Sequence, residues 1–257
     1  MKKRTIILFI CLIIVCTLLV LNGTLFVVKD VEVVDWVEQG HLDKQQIAEL
    51  SGVRSKNIFT VSESIASDNI EKLMPEVKVI NIERKFPSTI RIVVLKRVPI
   101  IAVKYSGGYA IIDRECSVIS NAVSLDSYDN ITVLEGVSVT SVTSGKVLDV
   151  NETVLNRLLQ IITTFETTGD NGYVGENFCL TVEKITFSGD KVTIKMVEGM
   201  ELELDASTDC TNKIRALVSF FNNGTINGQP IDRTQGVYTT GEKIDGKYVI
   251  LKRVQNS

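Results

Sequence analysis

The N-terminal apolar run constrains this chain more than any other segment. From Thr5 to Val28 the chain carries no charged residue, and Ile6 to Leu21 is apolar apart from Thr17. A helix over these residues would be roughly 36 Å long at 1.5 Å per residue, whereas the hydrocarbon core of a bilayer is about 30 Å thick. The sequence therefore predicts a transmembrane helix over residues 5–28.

The flanks of the run predict its orientation. Lys2, Lys3 and Arg4 precede it, whereas Lys29 and Asp30 cancel each other after it. Because cytoplasmic flanks carry the excess of Lys and Arg, the three cations are predicted to determine the topology. Residues 1–4 would then form a short cytoplasmic tail of a single-pass type II protein of the cell membrane. The rest of the chain would lie outside the cytoplasm.

A cleaved signal peptide is the competing interpretation of this run. Signal peptides have an apolar region of about 7 to 15 residues that ends in a small-x-small cleavage site. The run is longer here, and Leu21 occupies a position that should be small. A retained anchor is therefore favoured.

Composition favours a folded protein without a nucleic-acid role. The 257 residues are 44% hydrophobic, which supplies a core, and the net charge of -3 provides no basic field for phosphates. Beyond the apolar run the chain has three cysteines, without C-x-x-C spacing: Cys116, Cys179 and Cys210. Buried free thiols are the default interpretation, and one disulfide among them stays open.

Residues 29–97 show the pattern strand, helix, helix, strand, strand. Val31 and Val33 alternate with acids, Asp43 can cap a helix, and Ser64 can open a second helix that Pro75 ends. Residues 98–254 are rich in strands, with two apolar helical stripes over 154–165 and 214–221. Residues 255–257 form a polar tail. The predicted fold class is α+β: a single N-terminal transmembrane helix, a two-helix, three-strand module, then a mixed antiparallel β domain with flanking helices.

Four segments carry a resemblance to a known family. These are Val31-Glu32-Val33, Ile47 to Val53, Ile82-Glu83-Arg84-Lys85-Phe86-Pro87-Ser88-Thr89-Ile90-Arg91-Ile92, and Lys96-Arg97-Val98-Pro99. The third resembles the Arg-x-Phe-Pro-x-Thr pattern of the POTRA module in the FtsQ/DivIB family of bacterial cell-division proteins. The fourth resembles the Glu-Arg-x-Pro motif that closes that module, with Lys96 in place of the usual Glu.

The resemblance implies a non-enzymatic scaffold of the divisome that is enriched at the division septum. It also implies partners: other bitopic division proteins of the FtsL and FtsB/DivIC type, bound largely through a strand near the C-terminal end. The matching segment here is Asp232 to Thr240, which we expect to be an open edge of the sheet, ready for strand addition. The predicted partner-binding residues are Arg233, Thr234, Gln235, Gly236, Val237, Tyr238, Thr239 and Thr240.

The residues themselves offer little chemistry. His41 is the only histidine, so Ser-His-Asp, Cys-His and multi-histidine metal sites are excluded. We therefore expect no enzyme activity, cofactor, metal or small-molecule substrate. The alternative function is a POTRA-bearing export or assembly factor that binds exported chains by strand addition.

Overall fold

The computed structural model describes residues 3–37, 42–168, 176–226 and 229–253. The chain divides into two compact units, Met1–Arg97 and Val98–Ser257. Each unit has a hydrophobic core of its own. His41 lies outside the described residues.

The first element is helix α1, Lys3–Thr24. Among the described residues, no helix is both long and apolar enough to cross a membrane. The prediction of a transmembrane helix over residues 5–28 is therefore wrong, and so is the fold class that included this helix.

The cations predicted to determine the topology lie at the start of this helix. Lys3 and Arg4 are exposed there, while Lys2 lies outside the described residues. Their role stays an untested prediction, because it presupposes a membrane span.

The rest of unit 1 is a three-stranded sheet covered by two helices. Its elements are β1 (Asp30–Asp35), α2 (Lys44–Leu50), α3 (Glu63–Leu73), β2 (Val77–Lys85) and β3 (Thr89–Lys96). The strand order is β1-β3-β2, with β1 parallel and β2 antiparallel to β3. The core contains side chains from the helices and the sheet, including Ile47, Ile70, Ile90, Ile92 and Val94. This is the POTRA-type arrangement that the strand and helix pattern predicted.

Helix capping explains where α2 and α3 begin. The Asp43 carboxylate accepts a hydrogen bond of 2.9 Å from the Gln46 amide, as predicted. The Ser62 hydroxyl accepts a hydrogen bond of 3.4 Å from the Ile65 amide, so Ser62 is the N-cap and α3 begins at Glu63. The cap therefore lies two residues before Ser64, which was predicted to open the helix. The first residue of each helix is thus determined by a short polar side chain at the N-cap.

Two arginines of the resemblance motifs connect elements of unit 1, Arg84 from the surface and Arg97 from the interior. The Arg84 guanidinium donates to the Ile58 carbonyl at 3.1 Å and to the Val61 carbonyl at 2.8 Å, so it ties β2 to the segment between the helices. The Arg97 side chain is only 4% exposed and lies 2.9 Å from Glu71 of α3. The other Glu71 oxygen accepts from the Val79 amide at 2.9 Å, beside the bulge in β2. These motif residues are therefore structural.

Unit 2 is built on a nine-stranded mixed sheet. Its first half contains β4 (Ile101–Tyr105), β5 (Gly108–Ile112), β6 (Val118–Ala122), β7 (Thr132–Glu135), β8 (Val139–Ser141), β9 (Asp149–Val150), α4 (Glu152–Thr168) and α5 (Glu176–Thr181). Its second half contains β10 (Val182–Ser188), β11 (Lys191–Met196), β12 (Glu201–Asp205), α6 (Cys210–Asn223), β13 (Thr225–Ile226), β14 (Gln229–Pro230), β15 (Val237–Ile244) and β16 (Lys247–Arg253). The order in the large sheet is β16-β15-β12-β11-β10-β7-β4-β5-β6.

The core of unit 2 lies between this sheet and its helices. In β12, Leu202 and Leu204 are buried, whereas Glu201 and Glu203 alternate with them on the other face. Helix α6 packs on the sheet through Ile214, Leu217, Val218 and Phe221, all of which are buried. Strands β12, β15 and β16, which are neighbours at one end of the sheet, therefore share a core with α6.

Candidate partner-binding surface

The segment predicted to bind partners is not an edge of the sheet. β15 pairs in parallel with β12 through Val237 to Thr239 and antiparallel with β16 along its other side. The turn Asp245-Gly246, with φ values of 51° and 76°, folds β16 back onto β15. The expected open edge at residues 232–240 is therefore wrong, because the last strand satisfies its main-chain groups.

Several of the predicted binding residues are internal. Tyr238 is 2% exposed and its ring lies 5.0 Å from that of Phe220 on α6. Val237 is also buried. The Arg233 guanidinium lies 4.9 Å from the Phe221 ring and donates to the Asn222 carbonyl at 2.6 Å. These side chains attach the segment to α6.

The preceding turn is held by hydrogen bonds of its own. Asp232 accepts from the Thr234 hydroxyl at 2.6 Å and from the Gln235 amide group at 2.8 Å, and these bonds lower its pKa. Gly236 has a φ of +101°, and a Cβ there would lie 3.0 Å from the Tyr238 ring. Thr234 and Gln235 are exposed, while Thr239 and Thr240 are half-buried within β15. The segment is therefore a rigid turn that leads into an internal strand.

The edge beside this segment is β16. Among the described strands, β16 pairs only with β15, so its outer side is open. Its exposed side chains are Lys247, Leu251, Lys252 and Arg253. Arg253 lies 2.8 Å from Glu203, and Lys252 lies 5.9 Å from the centre of the Tyr238 ring. The open edge therefore combines unpaired main-chain groups with a cationic character.

A groove separates α6 from the β15-β16 hairpin. Among its lining residues are Arg215, Phe220, Lys243, Lys247 and Tyr248. At its end lies Asp209, which accepts from the Lys243 ammonium at 2.5 Å and from the Tyr248 hydroxyl at 2.8 Å. These two donors lower the pKa of Asp209 to about 2. The hydrogen bond between Lys243 and Asp209 also raises the pKa of Lys243.

The hairpin was visible in the sequence, although its consequence was missed. Asp245-Gly246 between two alternating segments is a strong signal for a two-residue turn. That signal pairs β16 with β15 and so predicts that one side of β15 is occupied. The contacts of Asp209 carry no sequence signal, because Lys243 and Tyr248 are 34 and 39 residues away.

Elsewhere in the described part of the chain, the candidate metal ligands and nucleophiles have structural surroundings. No group of three or more His, Cys, Asp or Glu among the described residues could hold a metal ion. The sequence contains a Ser-x-x-Lys spacing at Ser188 to Lys191, but this is the β10-β11 turn, and Lys191 is paired with Glu203 at 2.8 Å. Cys116, Cys179 and Cys210 are free and buried, and burial raises the pKa of each thiol, that of Cys116 to about 12.

Comparison with known proteins defines the class of unit 1. Residues 27–97 match the family model described as POTRA domain, FtsQ-type. A curated relative, the cell division protein FtsQ of Corynebacterium glutamicum, is 38% identical over 74 residues. That alignment covers 28% of this chain and 33% of the relative, so the chain matches about a third of the relative's length.

The two matches agree with each other and with the motifs. Over residues 27–97 they confirm the resemblance to the POTRA module of the FtsQ/DivIB family that the sequence motifs indicated. The family model matches residues of unit 1, from Val27 to Arg97.

Proposed function

We propose that this chain is a non-enzymatic scaffold protein of bacterial cell division. The FtsQ-type POTRA domain and the cell-division relative support the division role. They also favour it over a POTRA-bearing export factor. In this role the chain concentrates at the division septum, binds other division proteins and supports septal wall synthesis.

The partners are division proteins of the FtsL and FtsB/DivIC type, bound by strand addition. The observation that carries this proposal is the open edge of β16. A strand at the end of a sheet presents unpaired N–H and C=O groups, which another extended chain can satisfy. Arg233 to Thr240 contributes to the same surface. Thr234 and Gln235 are exposed beside the edge, and Val237 to Thr240 form the strand on which β16 rests.

The cationic side chains of the edge add specificity. Lys247, Lys252 and Arg253 are exposed along a strand of seven residues. Complementary acidic side chains on the added strand would raise the association rate and disfavour basic competitors. Two copies of this edge would repel each other, which protects the chain from pairing with itself.

Affinity measurement with an edge variant tests the proposal. The double variant Leu251→Asp/Lys252→Glu places two acids on the open strand, and we expect at least a tenfold loss of affinity for the FtsB/DivIC-type protein of the same organism. Leu251 is 49% exposed, so the fold should tolerate the change. Tyr238 is unsuitable for this test, because a carboxylate there would enter the core.

The matched control is Val197→Asp, at an exposed apolar residue of similar accessibility, 52%, in the turn between β11 and β12. The control should bind like the unaltered chain. Full binding by the edge variant would exclude β16 as the docking strand. A fluorescent fusion of the full chain should form a band at midcell, and uniform labelling would contradict the septal role.

A further inference from the structure

The β15-β16 hairpin has two halves with different support. In the proximal half, Val237 to Thr240 pairs with Ile250 to Arg253, and β12 backs it on the other side. A bulge between Thr240 and Lys243 interrupts the ladder. In the distal half, Lys243-Ile244 pairs with Lys247-Tyr248, whereas β12 ends its pairing at Thr239. Among the described strands, no third strand pairs with the distal half.

The distal half is attached to α6 instead, through Asp209. The Asp209 carboxylate receives one hydrogen bond from each strand of the hairpin, from Lys243 at 2.5 Å and from Tyr248 at 2.8 Å. The Lys243 ammonium also lies 4.7 Å from the centre of the Tyr248 ring. Asn212, one turn into α6, donates to the other Asp209 oxygen at 2.6 Å. One side chain therefore joins both strands of the distal half to the helix.

Asp209 makes these contacts against its local preferences. It is the N-cap residue of α6, where an aspartate usually accepts a hydrogen bond from the first turn, yet it makes no such capping bond. Its backbone is left-handed, with φ of 50° and ψ of 36°, a region that few residues other than glycine adopt, although aspartate does so more often than most. A backbone outlier that forgoes its local hydrogen bond and makes two long-range ones indicates a functional constraint.

We propose that Asp209 is a positioning residue that latches the distal half of the hairpin to α6, so that β16 presents one continuous edge from Lys247 to Arg253. This inference rests on the proposed function, since the edge is the surface offered to the partner strand. Without the latch, only the proximal four residues, Ile250 to Arg253, keep support from the sheet. A partner would then have to order the distal half on binding, which weakens affinity.

The latch is constitutive. Its carboxylate keeps a low pKa because Lys243 and Tyr248 donate to it, so it stays ionised at any physiological pH. Asp209 therefore holds the edge in one geometry and does not act as a pH switch.

The variant Asp209→Gly tests the latch directly. Glycine accepts the left-handed backbone without strain, so the variant removes the carboxylate while leaving α6 in place. In the full chain we expect hydrogen exchange over residues 243–250 to accelerate about tenfold or more, and exchange over β12 to stay unchanged. Affinity for the FtsB/DivIC-type protein should fall about tenfold. Tyr248→Phe removes one of the two bonds to Asp209. Its exchange rate over residues 243–250 and its affinity should lie between those of Asp209→Gly and those of the unaltered chain.

A charge exchange separates positioning from a general structural role. The variant Asp209→Lys/Lys243→Asp restores an ion pair of reversed polarity at the same place, so exchange protection and affinity should both recover in part. Unchanged exchange in Asp209→Gly would overturn the latch. Faster exchange with unchanged affinity would overturn its positioning role. Failure of the unaltered chain to bind would instead refute the proposed function, and the exchange measurement would still decide the latch.

Discussion

Replacing Arg97 by methionine should destabilise unit 1 by about 2–4 kcal/mol. Removing one partner of a buried ion pair costs about 3–5 kcal/mol, because the remaining charge loses its compensation. The Arg97 side chain is 4% exposed, but Glu71 is 22% exposed, so water screens part of the loss. Glu71 also keeps its bond from the Val79 amide, which further limits the cost.

The single tryptophan gives an assay confined to this unit. Trp36 follows β1, and its backbone amide donates to the Val94 carbonyl at 2.8 Å, so the NMR signal of this amide reports the unfolding of the sheet. In a urea titration with a slope of about 1 kcal/mol per molar, the midpoint should fall by about 2 M or more. The double variant Arg97→Met/Glu71→Gln should recover part of the loss, because it removes both charges.

The control is a half-buried arginine of the same sheet. Arg91 lies 3.7 Å from Glu32 and 4.0 Å from Glu83, and all three side chains are 35–45% exposed. Exposed pairs of this kind contribute about 0–1 kcal/mol, so Arg91→Met should shift the midpoint little. An Arg97→Met midpoint no lower than that of Arg91→Met would refute the structural role given to the closing motif.

Three further outcomes are expected. Gly236→Ala should destabilise unit 2 by about 1–2 kcal/mol, measured as a lower midpoint in urea, because its φ of +101° disfavours any side chain. Because the pKa of Asp209 lies at about 2, below its ordinary value of 3.8, the stabilisation by its bonds is complete above about pH 4. It should be lost as the pH falls towards 2, which the chemical shifts of Tyr248 would report. Ellman's reagent at pH 8 should label Cys116, Cys179 and Cys210 only after unfolding, since all three are buried.

Local signals predicted residues 29–97 of unit 1 well. Asp43, Pro75 and the alternation around Val31 act within a few residues, so the order of helices and strands followed from the sequence. The cap of α3 was misplaced by two residues, since Ser62 and Ser64 are equally good candidates by residue type. The parallel pairing of β1 with β3 is a long-range contact, and no local pattern indicates it.

The sheet of unit 2 was less predictable for the same reason. β7 lies in parallel between β4 and β10, and β15 lies in parallel beside β12, so the order of strands in space differs from their order in the chain. Sequence alternation shows which residues share a face, and it does not show which strand ends the sheet. For this reason the sequence predicts an open edge at residues 232–240, whereas the strand at the end of the sheet is β16.

The most direct test of strand addition is amide hydrogen exchange over β16 in the full chain, with and without the FtsB/DivIC-type protein of the same organism. The outer amides of Lys247 to Arg253 exchange with solvent in the free chain, and pairing with an added strand should slow them. The account predicts protection that covers β16, while the exchange of β6 at the opposite edge stays the same. Binding that leaves β16 unprotected, or that protects β6 instead, would contradict it.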